Sequence, residues 1–161
     1  MEENQPMSST NSQIFEEVVN FFKIDNWPFL RIPEQTVLRT NFQGDHGQWS
    51  CIARVRTEQQ QFMFYSICPV NAPENKRLDI AEFLTRANSN IVIGNFELDF
   101  NDGEIRYKTS IDVEGDRITV ALIKQLIYAN VSIMDEYLPG IMAVIYGNLS
   151  PKEAIAQIES S

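Results

Sequence analysis

The chain has little of what catalytic and metal sites are made from: one histidine and two cysteines in 161 residues. A catalytic triad or a histidine-based metal site needs further partners at defined places. Cys51 and Cys68 are too few and too isolated for a disulfide scaffold or a zinc site. Neither common phosphate cradle, GxxxxGK[ST] or GxGxxG, occurs. Runs of five Lys or Arg are missing and the formal net charge is −9, which disfavours non-specific binding to nucleic acid or anionic lipid. No stretch of about 18 apolar residues exists, so no membrane span is expected. Met1–Gln13 has neither the basic start nor the apolar stretch of a signal peptide. The expected location is cytoplasmic.

What remains is globular in composition: 43% hydrophobic and 22% charged residues, at a length that suits one domain. Residues 1–11, polar and rich in Ser, Thr and Asn, read as a disordered tail, and 12–161 as a single α+β domain. Ile14, Phe15, Val18, Phe21 and Phe22 lie on a helical stripe, with Ser12 or Asn11 as N-cap. Asp25-Asn26-Trp27-Pro28 ends that helix, because the residue before proline resists helical angles.

Three antiparallel strands are predicted over 36–43, 48–56 and 61–70, with Gly44-Asp45-His46-Gly47 as the first turn and Glu58-Gln59-Gln60 in the second. Alternation puts Leu38, Phe42, Trp49, Cys51, Ala53, Val55, Phe62, Phe64 and Cys68 on one apolar face. Arg39, Arg54, Arg56, Met63, Tyr65 and Ile67 fall on the other. That second face is too apolar for an ordinary wet surface and too charged for a core.

A helix over 73–88 follows, with Leu78, Ala81, Phe83, Leu84 and Ala87 on its apolar side. Phe96-Glu97-Leu98-Asp99-Phe100 alternates strictly, and Asp102-Gly103 reads as a two-residue hairpin turn. In that register Asp99 faces Arg106 and Glu97 faces Lys108. Residues from Thr119 to Tyr146 read as a helix kinked or broken at Pro139-Gly140. Its apolar coverage is so wide that a second element of the chain or a second subunit must cover it. Ser150-Pro151-Lys152-Glu153 is a capping box with proline at the first helical position, opening a helix to about Ile158.

In this order the chain resembles the YbjN family. The resemblance is carried by Leu78-Asp79-Ile80-Ala81-Glu82-Phe83-Leu84-Thr85-Arg86-Ala87-Asn88, by Ile93-Gly94-Asn95-Phe96-Glu97-Leu98-Asp99, by Asp102-Gly103-Glu104-Ile105-Arg106-Tyr107 and by Met134-Asp135-Glu136-Tyr137-Leu138-Pro139-Gly140-Ile141. It covers about half the chain in residues and nearly all of it in element order. It implies a fold similar to class I type III secretion chaperones: helices packed on a five-stranded antiparallel sheet made of a three-stranded meander and a hairpin. Such proteins are small and acidic, usually dimerise, and bind extended protein segments. The resemblance supplies no catalytic residues, and nothing in the chain points to a secretion system.

The remaining chemistry reads as structural. His46 is expected to be an exposed turn residue. Asp99, Asn101, Asp102 and Gly103 fail the calcium-loop pattern, with Gly103 and Glu104 where a ligand and glycine belong. Cys51 and Cys68, roughly opposite one another, are expected to be buried free thiols. Arg39, Arg54 and Arg56 with Tyr65 imitate a base-stacking sheet, but Glu97 and Asp99 are placed on the same face and oppose phosphate. Adjacent acids such as Asp135-Glu136 do not face each other on a helix and read as solvated.

The expectation is therefore a non-enzymatic protein-binding module of chaperone, adaptor or regulatory type. It is expected to be homodimeric, to use no metal or cofactor, and to bind neither nucleic acid nor membrane. Arg39, Arg54, Arg56, Met63, Tyr65 and Ile67 form the candidate partner-binding face. The alternative is a signal-transduction regulator that senses a small molecule in a pocket between the sheet and the long helix.

Overall fold

The computed structural model describes residues 9–160, with side chains described from residue 13 onward. Residues 1–8 of the expected tail lie outside that range, while 9–11 belong to the first helix, α1 (Ser9–Ile24). Asn11 and Ser12 are therefore inside α1 and not its cap. After α1 come β1 (Leu30–Arg31), β2 (Val37–Gln43), β3 (Gln48–Arg56) and β4 (Gln61–Ile67). A short 3₁₀ turn, Glu74–Lys76, leads into α2 (Arg77–Asn88); then follow β5 (Asn95–Leu98), β6 (Ile105–Asp112), α3 (Val120–Tyr146) and α4 (Pro151–Glu159).

The strands form one antiparallel sheet in the order β1-β2-β3-β4-β6-β5. It has six strands, not five. The extra strand, β1, is two residues long between Pro28 and Pro33, too short to leave a periodic signal.

The meander has the register that alternation requires. Leu38, Trp49, Cys51, Ala53, Val55, Phe62 and Phe64 are all buried, and each alternates with a less buried neighbour. Phe42 packs at the rim of this core. α1, α2 and α3 lie against this face, and α4 closes over α2 and α3. The wide apolar surface of α3 is thus covered within the chain. α3 also runs through Pro139 without a break, and its coverage is accounted for without a second subunit. Gly140 allows α3 to approach α2, since a Cβ there would lie 2.5 Å from Cζ of Phe83.

Three local expectations are corrected. The β5–β6 connection is a longer turn than Asp102-Gly103: Glu97 lies opposite Arg106, and Asn95 opposite Lys108. Asp99 accepts from the backbone of Asn101, and Asp102 from that of Glu104, so side-chain capping stabilises a wider loop than the dipeptide demands. Gly103 there has φ of 79°, and a Cβ would meet the carbonyl oxygen of Ala72 at 2.0 Å. Leu78 is 78% exposed and Ile80 takes its core position. Cys51 stands opposite Ser66, not Cys68.

A fourth correction concerns Asp135, which is not solvated. Its carboxylate accepts from the backbone N–H groups of Asp45 (3.1 Å) and His46 (2.9 Å). Pro139 has no N–H for the carbonyl of Asp135 four residues earlier, and Nδ1 of His46 donates to that freed oxygen at 3.0 Å. The β2–β3 turn is thereby tied to α3.

Candidate partner-binding sheet face

The helices occupy one face of the sheet. The other face is left without a helix among the described residues, and its side chains follow directly from the register. Successive rows read Asn41, Ser50, Ile67, Arg106 and Glu97, then Leu30, Arg39, Ile52, Tyr65, Lys108 and Asn95, then Val37, Arg54, Met63 and Ser110, then Arg56, Gln61 and Asp112. All six sequence-predicted site residues lie on this face. Arg39, Arg54 and Arg56 are exposed, while Met63, Tyr65 and Ile67 are half-buried.

Sequence reasoning missed Leu30, Ile52, Arg106 and Lys108. Ile52 was legible from its alternation with Arg54 and Arg56. Arg106 and Lys108 were legible too, because the expected register differs from the observed one by two residues and leaves both on the face of Glu97; Leu30 was hidden by the shortness of β1. Of the two acids expected here, Glu97 is present, whereas Asp99 caps the turn beyond β5.

The charges sort into two networks and a remainder. Arg106 lies 3.4 Å from Glu97 and stacks over the Tyr65 ring at 4.8 Å, and Lys108 sits 3.9 Å from Glu97. At the other end Arg56 donates to Gln61, whose amide donates to Asp112 at 2.9 Å. The Gln61 side chain, helped by the Glu114 backbone N–H, holds the Asp112 carboxyl below its ordinary range. Arg39 and Arg54 have no ion-pair partner among the described residues. They stand diagonally across the β2–β3 pair, because Arg39 opposes Ile52 and Arg54 opposes Val37. A cleft of about 430 Å³ is lined by Leu30, Arg39, Ser50, Ile52, Ile67 and Glu104.

Both edges of the sheet are stopped by side chains. At β5 the Asn88 amide mimics a neighbouring strand, accepting from the Phe96 N–H at 2.7 Å and donating to its carbonyl at 3.2 Å. At the opposite edge the Trp27 indole donates to the Asn41 carbonyl at 2.8 Å, and β1 is short and flanked by prolines. These are devices that blunt strand addition.

The potential nucleophiles lie on the covered side. Burial pushes the Cys51 thiol up to about 12 and the Cys68 thiol to about 11. Trp49 donates to Ser66 beside Cys51. The reactive thiolate is thus suppressed at neutral pH. Burial also raises Tyr107. Asp25, through its hydrogen bond, raises Tyr128 to about 12. Asn130 donates to the carbonyls of Phe64 and Tyr107 and fastens α3 to the sheet. Among the described residues no group of three His, Cys, Asp or Glu is placed to hold a metal ion, and no helix is long and apolar enough to cross a membrane.

The YbjN family model, described as "Putative bacterial sensory transduction regulator", matches residues 15–142. The fold is similar to the crystal structure of YbjN from E. coli, with TM-score 0.58 at 11% identity over 76% of this chain and 89% of that one. It is also similar to a chain of the ExsC–ExsE complex, with TM-score 0.53 at 13% identity over 83% and 96% of the two chains. A chain of the HopA1–SchA chaperone–effector complex has TM-score 0.55 at 14% identity over 83% and 99%. No curated protein matches the chain.

Proposed function

The chain belongs to the YbjN family, and from that footing we propose that it is a non-enzymatic, cytoplasmic protein-binding module of chaperone or adaptor type. The observation that carries the reading is the uncovered sheet face. Ile52, Met63, Tyr65 and Ile67 are apolar or aromatic and half-buried, yet no helix of the described chain covers them and only the Arg106 side chain stacks on Tyr65. Such a mixed face gains from burial against another polypeptide. The likeness in fold to a chain of a chaperone–effector complex supports the same reading. Two unpaired thiols suit a reducing compartment.

The test is capture of partners on the immobilised chain from extract of the source cell, identified by mass spectrometry. Proteins held by the wild type and lost with both Ile52→Asp and Tyr65→Asp support the reading. Identical capture by all three chains, with circular dichroism showing the variants folded, overturns it.

Homodimerisation belongs to the proposal. It is supported by the exposed apolar side chains Leu78, Val92, Ile93 and Phe100, carried by α2 and the loops flanking β5. Light scattering at micromolar concentration is expected to give about twice the 18.5 kDa chain mass, and Val92→Asp with Phe100→Asp to return it to one. A wild-type monomer removes the dimer. The small-molecule reading is weaker, because the space between sheet and α3 is filled by Phe62, Phe64, Tyr107, Ile127 and Asn130.

A further inference from the structure

Resting on the protein-binding reading, we infer that the open sheet face takes an acidic polypeptide segment with apolar side chains, laid over the face and not added to a sheet edge. The strands of the face carry five of the chain's 13 Lys and Arg but only two of its 22 Asp and Glu, with Glu104 as a third acid at the border of the cleft. It is a basic surface on an acidic protein. Three of its five cations are engaged within the face by Glu97 and by Gln61. Arg39 and Arg54 are left to an incoming anion.

Spacing narrows the occupant. Diagonal neighbours in an antiparallel pair are about 7–8 Å apart at the backbone. Alternate residues of an extended segment are separated by about 6.5–7 Å. Two carboxylates at alternate positions therefore meet Arg39 and Arg54 together. The apolar side chains that follow reach Ile52, Met63 and Tyr65, with Leu30, 64% exposed, at the border.

Other occupants fit less well. A second copy docked through the same face would set Arg39 and Arg54 against themselves, since a two-fold interface pairs a surface with itself. Nucleic acid meets Glu97 and Asp112 at two sides of the patch and the −9 charge of the whole. Strand addition is obstructed by Asn88 and Trp27 at the two edges.

The experiment uses the full chain and three labelled probes: a synthetic 16-residue peptide whose alternate positions read Glu, Glu, Leu and Phe in turn with Ser between them, so that all four face one side when extended, the same peptide with Lys for Glu, and a single-stranded oligonucleotide of equal length. Binding is followed by fluorescence anisotropy at rising salt. The acidic peptide is expected to bind about tenfold or more tightly than the others, to weaken with salt, and to lose about tenfold or more with Arg39→Glu/Arg54→Glu. Circular dichroism melting shows whether that variant is folded, and Arg39→Gln/Arg54→Gln, which removes charge without reversing it, gives an intermediate loss.

Equal binding of both peptides, abolished by Tyr65→Asp alone, overturns the acidic class and leaves the face as the binding surface. Acidic-peptide binding untouched by every face variant overturns both readings. Tighter binding of the oligonucleotide, self-association through the face, or no binding of the acidic peptide up to millimolar concentration also overturns the inference.

Discussion

Phe64 and Tyr65 are neighbours in one strand and live in different solvents. Phe64 is fully buried among Trp27, Ala53 and the helices, whereas Tyr65 lies half-open under the Arg106 guanidinium. The same division holds down every strand: one face buries Leu38, Cys51, Val55 and Phe62, and the other shows Arg39, Ile52, Arg54 and Met63. A helix-covered face is committed to stability. An uncovered face of similar size, still rich in apolar atoms, is available for recognition. Strand alternation produces both from a single stretch of chain.

The comparison is broken or sharpened first by truncating the two neighbours. Phe64→Ala is expected to cost about 3–5 kcal/mol, as for other buried phenylalanines. Tyr65→Ala is expected to cost about 1 kcal/mol or less, the scale of an exposed cation–π contact. Urea denaturation of both variants measures the difference. Equal losses would mean that the open face contributes to the fold as the covered one does.

Alkaline pH acts on the covered face alone through its thiols. Cys51 and Cys68 keep their protons to about 12 and 11 when folded, because burial disfavours the thiolate. In the unfolded chain they ionise near 8.5. The unfolded state sheds protons first, so their contribution is complete below that value and is lost as pH rises toward the folded values. The urea midpoint is expected to hold from pH 7 to 8 and to fall above about pH 9, less steeply in Cys51→Ala/Cys68→Ala. A midpoint that stays flat to pH 10.5 would contradict the burial of both thiols.

Much of this division was legible in the chain. Period-two alternation located β3 at its observed ends and put all six candidate residues on one face, since a slip by one residue would have exposed Phe62 and Phe64. The capping box at Ser150 formed as written, with Glu153 donating to Ser150 Oγ and reaching back to the Ser150 N–H. What escaped was set by contacts distant in sequence. The β5–β6 register depends on a loop shaped by Asp99, Asp102 and the close approach of Ala72 to Gly103. Local preference for Asp-Gly turns cannot see that approach. β1 exists only because β2 offers it a ladder, and Leu78 and Ile80 are equally apolar until the packing of α2 against β5, α3 and α4 decides which side is covered.

One end of the sheet is held by a joint between the β2–β3 turn and α3 while one of its faces stays open. Asp135 reads locally as one of two adjacent solvated acids on a largely apolar helix, and His46 as a turn residue; each makes sense only through the other. Pro139 frees the Asp135 carbonyl, His46 donates to it, and the carboxylate gathers two backbone N–H groups of the β2–β3 turn. Asp135→Ala is expected to destabilise by about 1.5–3 kcal/mol, the scale of hydrogen bonds to a charged group. Gly44→Ala attacks the same joint from the other side, because its Cβ would lie 2.3 Å from Oδ1 of Asp135. With the carboxylate already removed that clash is gone, so the two losses do not add, and a double-mutant cycle reads the difference. Additive losses, or an Asp135→Ala variant as stable as wild type, would show that the turn is held by its own backbone, and that α3 supports the core without fixing this end of the open face.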